Sequence, residues 1–514
     1  MKQRVLIIGG GLGGLFSGAI LAKEGLEVTV LEKNKIIGGG LQSFRMWGED
    51  FDTGMHIIGG MRPGGNIYRL CSYLGIIDQV CVRDVDHDCT DRLYFAEDQR
   101  YYTIAEGKDT FVETLSRQFP HEHDGLKAYV EALFRLSEEV DLFYLRPSKD
   151  LIPMHSAQFN MSAEAFIAQY INDKKLRSVL AYMNPLYGGR AQQTPAYVHA
   201  IISVLYINGP SRFVGGSLRF AHLLAETIQR HGGKVLGATE VTHIGVTDRR
   251  VTCVETADGQ HFEAEYYVSA IHPCALLKVI DSDAFTKAYR TRLETIPNSY
   301  SAFSLYVKLK PNSFPYINHS EYFMMRYADI WQFGRDDKPW PLGFLFMTPP
   351  NEGQGAFASK VLVTAPMAFS QVKAWEQTTI GHRTADYRQW KEQQCNQLLA
   401  MVEVLHPGFS TCIEAVNTAS PLTIRDFYGA KEGGICGYSK DCNNLALSQL
   451  PVVTKVSNLF LTGQNNNLHG FCGVPLTAIQ TCEAILGRNY VLNQLNHETA
   501  NSTLSVPRDD ARLG

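Results

Sequence analysis

The stretch from Arg4 to Glu32 constrains the fold more tightly than any other part of the chain. Val5 to Ile8 is an unbroken apolar run, the composition a parallel strand buried on both faces requires. Gly9, Gly11 and Gly14 follow in the pattern G-x-G-x-x-G. Gly9 suits a tight turn, Gly11 lets backbone approach a pyrophosphate, and Gly14 lets a helix pack closely on the strand. Leu15 to Glu24 reads as that helix, offering unpaired N–H groups and a positive dipole end to phosphate. Gly18 extends its small face and Gly25 stops it. Glu27 to Leu31 reads as a second strand, and Glu32 stands about twenty residues past the glycines, where an acid accepts hydrogen bonds from ribose hydroxyls. Together these predict a dinucleotide-binding βαβ unit and an α/β fold.

At 514 residues the chain exceeds a single core, so two domains or an interleaved pair are expected. With 48 basic and 52 acidic residues and a net charge of -4, no run of like charge points to nucleic acid. The eleven cysteines form no C-x-x-C pair and no His and Cys cluster at zinc spacing. Reduced thiols and no metal are therefore expected. A strand starting at Val5 leaves no room for a signal peptide, and no run reaches the roughly 18 apolar residues of a transmembrane helix. A cytoplasmic protein is expected, with peripheral contact at the inner membrane face left open.

Beyond Lys33 the glycines return as Gly38-Gly39-Gly40, followed by Leu41 and then Phe51-Asp52-Thr53-Gly54-Met55-His56-Ile57. This stretch resembles the extended dinucleotide signature of the FAD-dependent amine oxidase and phytoene desaturase superfamily. Phe-Asp-Thr-Gly-x-His resembles its retinol saturase and carotenoid isomerase branch in particular. One departure stands out: many members carry Arg after the paired glycines, where this chain has Gly40 and Leu41. Near the other end, Leu459 to Thr462 reads as a buried strand, Gly463 takes the chain out of the sheet, and Leu468-His-Gly-Phe-Cys-Gly473-Val474-Pro475 follows. Pro475 suits the first residue of a helix running to about Leu486. This segment resembles the superfamily's C-terminal FAD motif, and Leu461-Thr-Gly-Gln464 is close to the retinol saturase form.

The resemblance implies an α/β fold in which a Rossmann-like FAD-binding domain (1–66, 212–280 and 421–494) is interleaved with an α+β substrate domain (67–211 and 281–420), with 495–514 as a flexible tail. It places Gly9, Gly11, Leu12, Gly13, Gly14, Glu32, Lys33, Gly39, Gly40, Leu41, His56, Ile57, Val241, Gly463, Gln464, Gly473 and Val474 around FAD, with His56 as the catalytic or orienting group. His469 is a further polar candidate, Asp52 a loop brace, and Cys436 or Cys472 a conceivable covalent flavin link. The absence of a second G-x-G-x-x-G argues against a built-in NAD(P)H domain, so electrons exchange with a diffusible donor or acceptor.

The expected activity is hydride exchange between flavin N5 and a hydrophobic isoprenoid, polyene or lipid, as saturase, desaturase or isomerase. An amine oxidase-type enzyme and a lipid-escort protein of the same fold are the alternatives. The region between is less specific. Lys234 to Leu236 and the alternating segments to Ala270 read as a meander, and the aromatics from Tyr300 to Phe346 suit either a sheet core or a tunnel lining. Trp375 to His406 reads as containing a helix that covers that sheet.

Overall fold

The computed structural model describes residues 2–54, 57–148 and 154–504, with the side chains of 447, 448 and 499–504 excepted. His56 thus lies outside the described residues.

The opening glycine unit forms as its sequence requires. Arg4–Ile8 is a strand, Leu12–Lys23 a helix and Glu27–Leu31 the next strand, paired in parallel with the first. Gly9 adopts φ 106°, which only glycine reaches without strain. A Cβ on Gly18 would lie 2.9 Å from Ile228 and 3.3 Å from Ile7, so the small face of the helix touches both the sheet and a second helix, Leu218–Arg230. Five parallel strands build this sheet, in the order Leu459–Leu461, Tyr266–Ser269, Arg4–Ile8, Glu27–Leu31, Lys234–Leu236. The short strand Lys234–Leu236 belongs here and not to the meander expected from its sequence. It follows a helix that ends at Arg230, and that crossover returns it beside Glu27–Leu31. The meander is the antiparallel trio Val241–Thr247, Arg250–Thr256 and His261–Phe262, while Tyr266–Ser269, also expected in it, pairs in parallel with Arg4–Ile8.

A second sheet has seven strands, in the order Ile413–Ala419, Ser301–Leu309, Lys360–Met367, Gly343–Met347, Ser320–Met324, Asp91–Phe95, Arg100–Ile104. Its two faces differ in a way that matters for function. The outer face carries Phe303, Leu305, Phe323, Phe344, Phe346 and Val363, buried with Leu398, Val402 and Leu405 of the helix Ala385–Leu405. Most of the dense aromatic run is therefore core. On the inner face, cross-strand register sets Ser304, Thr364, Leu345, Tyr322, Leu93 and Tyr102 side by side in one row. Tyr322 and Leu93 join the large core that also contains the first helix. The hairpin Ser43–Met46 and Glu49–Asp52 packs over Tyr306 on the same face, with Phe44 and Phe51 at ring distances of 4.8 and 5.8 Å.

The C-terminus differs from the expected tail. Tyr490–Leu504 is helical, anchored by buried Val491, Leu492 and Leu495 and by Arg69 and Leu145, which bond Asn496. Polar composition hid three well-spaced apolar residues. Among the described residues no helix is long and apolar enough to cross a membrane, and all eleven cysteines are free thiols.

Candidate active site

The two glycine-rich segments, read from opposite ends of the chain, meet in space. A Cβ on Gly13 would stand 2.9 Å from the Gly463 Cα and 3.4 Å from Val474. Gly14 has no room either, since its Cβ would fall 2.0 Å from the Gly9 carbonyl oxygen. The Gly38 N–H donates to the Gly10 carbonyl at 2.7 Å, and a Cβ on Gly39 would reach within 3.1 Å of the Gly11 Cα. Gly9 to Gly14, Gly38 to Leu41, and Gly463 to Val474 are thus three walls of one backbone-lined cradle.

On the cradle's two N-terminal walls, Gly40 and Gly11 face open space. A Cβ on Gly40 would meet nothing within 4 Å, and one on Gly11 only the Gly39 Cα at 3.9 Å. Beside them the first helix begins without a side-chain cap and without an acid in its first turn. The helix Gly470–Leu486 also starts uncapped and acid-free, with His469 at its N-cap. Uncapped helix N-termini bind anions through their N–H groups and dipole.

That second helix begins five residues before Pro475, earlier than its sequence suggests. Pro475 sits inside the helix, which remains continuous, and Gly473 rests so close to Leu468 that a Cβ would lie at 2.6 Å. The Thr477 hydroxyl donates to the Gly473 carbonyl at 3.1 Å in the same turn.

Glu32 is buried and held rigidly. Its Oε2 accepts from the Gly10 N–H and its Oε1 from the Asn34 N–H, both at 2.8 Å. Each oxygen keeps a second lone pair for a ribose hydroxyl. Val241 begins the strand beyond Thr239, whose N–H donates to the Glu32 carbonyl, which brings it alongside the acid. Lys33 is exposed, and its Nζ donates to the Asp426 carbonyl at 3.3 Å. Ile57 is buried, Gln464 half-buried, and Leu41 fully buried, its carbonyl accepting from Ser217 at 3.1 Å. Asp52 braces the hairpin: its Oδ1 accepts from Ser43 Oγ at 2.7 Å and from the Ser217 N–H at 2.8 Å.

The cradle's chemistry fits FAD, with anion-binding helix ends for the pyrophosphate, a fixed acid for the adenosine ribose and Cβ-free backbone between them. The comparisons with known proteins agree. Residues 12–307, more than half of the chain, match the model of the family described as flavin containing amine oxidoreductase. The protein belongs to this family. It is a flavin-containing oxidoreductase, and its cofactor is FAD. Among curated relatives of this family member, all-trans-retinol 13,14-reductase from Rattus norvegicus is 26% identical over 532 residues, covering 95% of this chain and 86% of that protein. Prolycopene isomerase 1 from an Oncidium hybrid cultivar is 24% identical, covering 84% of this chain and 74% of that one. A crystal structure of an oxidoreductase from Methanosarcina mazei aligns with a TM-score of 0.62 at 17% identity, covering 93% of this chain and all of that one.

At the C-terminal motif one group, Lys440, carries no sequence signal. Lys440 is buried, its Nζ donating to the Asn466 carbonyl at 3.2 Å, and burial lowers its pKa to about 7. His469 is also buried, its Nε2 without a partner among the described residues, and burial together with the Lys440 charge lowers it to about 3. Both thiols considered for a flavin link are pushed up to about 12 by burial, so neither is a thiolate at neutral pH.

Lys440 gives a pH signature. Its folded pKa lies below the ordinary 10.5, so the cost of burying the ammonium is fully present below about pH 7 and fades as pH rises from there toward 10.5. A Lys440→Met protein is expected to melt above the parent at pH 6, with the gap narrowing by pH 9. Scanning calorimetry at the two values checks this. A variant that melts below the parent at pH 6 would contradict it.

Proposed function

We propose that the protein uses FAD to reduce a carbon–carbon double bond of an elongated, hydrophobic polyene. The observation that carries this is the inner-face row of the seven-stranded sheet. Leu345 and Thr364, on two central strands of that row, keep accessible surface while Tyr322 and Leu93 beside them are buried. Leu186, Ile202 and Ile435, packed against the same core, are likewise half-buried. Ile435 donates its N–H to the Tyr300 carbonyl just before the strand Ser301–Leu309, and the hairpin that ends at Asp52 lies over the same face. These half-buried apolar residues are the proposed lining of a slot for a hydrocarbon chain. The relatives that act on retinol and prolycopene support the same class.

Bound FAD supplies hydride transfer at its N5 atom. The chain's own residues bind, orient and keep the site dry. We propose that Gly9, Gly11, Leu12, Gly13, Gly14, Gly39, Gly40 and Leu41 approach the pyrophosphate through backbone, that Glu32, Lys33 and Val241 border the adenosine, and that Ile57, Gln464, Gly463, Gly473 and Val474 border the ring system. Reduction places a hydride on one carbon and a proton on its neighbour, and an extended slot holds the double bond in line. His56 remains the proposed orienting group. The boundaries 1–66, 212–280 and 421–494 against 67–211 and 281–420 are proposed for the cofactor and substrate domains, with a diffusible electron donor completing the cycle.

The test is a reduced, anaerobic holoprotein mixed with a polyene alcohol. The yellow colour of oxidised flavin is expected to return with the polyene and not with a saturated analogue. Failure of the colour to return with any polyene, or bleaching of the oxidised holoprotein by amines with peroxide released in air, would overturn the proposal.

A further inference from the structure

Beside the apolar row lies a buried polar nest that neither cofactor binding nor the fold's hydrogen bonding accounts for. Asp91, Arg212 and Tyr322 are each at most 1% exposed. Register places Asp91 next to Ser320, so Asp91, Ser320 and Tyr322 share the inner face of the sheet. One oxygen of Asp91 is engaged: Oδ2 accepts from Tyr182 at 2.9 Å and from Thr90 at 3.2 Å. The Arg212 Nη1 donates to the Thr348 carbonyl at 3.2 Å and its Nη2 to Ser320 Oγ at 3.0 Å, which anchors the guanidinium. The Tyr182 ring stands edge-on to Tyr322 at 5.2 Å. Three buried atoms of the nest have no partner among the described residues: Asp91 Oδ1, Tyr322 Oη and Arg212 Nε.

These three atoms are complementary to one functional group. Oδ1 is an acceptor, Nε a donor, and the phenol either. A hydroxyl donates and accepts at once and satisfies both sides. An aldehyde only accepts and leaves Oδ1 unpaired, and a hydrocarbon leaves all three unpaired, at the desolvation cost of each. A carboxylate meets like charge, because Asp91, although raised to about 6 by burial against the opposing effect of Tyr182, Thr90 and Arg212, is ionised above neutral pH. Tyr206 lies near both Asp91 and Cys472, and its hydroxyl donates to the Ile57 carbonyl at 3.4 Å, which links the nest to the proposed flavin side.

We propose that Asp91, Tyr322 and Arg212 form the polar end of the substrate slot and recognise an alcohol terminus, the hydroxyl donating to Asp91 Oδ1 and accepting from Tyr322 or Arg212. This rests on the polyene reading of the site, and the experiment separates the two. Oxidised holoprotein is titrated by fluorescence quenching with all-trans-retinol, all-trans-retinoic acid and the deoxy hydrocarbon of the same skeleton. The parent is expected to bind the alcohol about tenfold tighter than either of the others. Tyr322→Phe and Asp91→Asn are each expected to weaken the alcohol about tenfold and leave the hydrocarbon unchanged. Tyr322→Phe removes a hydroxyl without a protein partner, so its melting temperature stays at the parent's, which keeps the test sound if Asp91→Asn folds poorly. Equal binding of alcohol and hydrocarbon by the parent, or equal loss of both in Tyr322→Phe, overturns the alcohol site alone. Failure of all three ligands to bind overturns the polyene reading and this inference with it.

Discussion

A Gly11→Ala protein is expected to fold like the parent, keep its apoprotein melting temperature, and purify without colour. The backbone at Gly11 has φ -78°, which alanine adopts freely, and the added methyl would meet no protein atom nearer than 3.9 Å. The space it fills is the proposed approach of the cofactor's phosphates to the first helix. Crowding a tightly packed site by one methyl costs about 1–3 kcal/mol, so FAD affinity should fall by about a hundredfold at the upper end of that range. Because a ligand stabilises the state it binds, the parent's melting temperature should rise on adding FAD while that of Gly11→Ala should not. A variant that still purifies yellow would show that the phosphates lie elsewhere.

The same change three residues on has the opposite character. Gly14→Ala is expected to damage the fold itself, because its Cβ would lie 2.0 Å from the Gly9 carbonyl oxygen and 3.2 Å from Ala270, just past the neighbouring strand. Neither atom is free to move, since Gly9 is the turn at φ 106° that sends the chain from strand to helix. A loss of about 3 kcal/mol or more is expected, at the severe end of overpacking. It should appear as low soluble yield and a lowered melting temperature with and without FAD. A Gly14→Ala protein that melts with the parent would mean that the turn relaxes more easily than its packing suggests.

How much of this was legible depended on how local each determinant was. The opening unit could be read almost residue by residue, because glycine spacing, an apolar strand and a terminal acid are all short-range features. The C-terminal segment was legible as a motif, but Pro475 misplaced its helix start, since a proline early in a helix is as compatible with an interior turn as with a first residue. Lys234–Leu236 looked like part of a meander because three residues carry no sign of which sheet they join. The aromatic run from Tyr300 to Phe346 could not be divided until register put Phe323, Phe344 and Phe346 on the outer face and Tyr322 on the inner one. Lys440, Asp91 and Arg212 had no signature at all. Their importance comes from burial and from partners far off in the chain, as when Arg212 reaches Ser320 and Thr348.

The central proposal is that the protein reduces a polyene with FAD held in the glycine cradle. The most direct measurement is the mass of the product when reduced holoprotein, free of oxygen, is mixed with one equivalent of all-trans-retinol while the flavin spectrum is followed. A product two mass units heavier, formed in step with flavin reoxidation, is the predicted result. Unchanged retinol beside flavin that stays reduced, with the same outcome across longer polyenes, would contradict it.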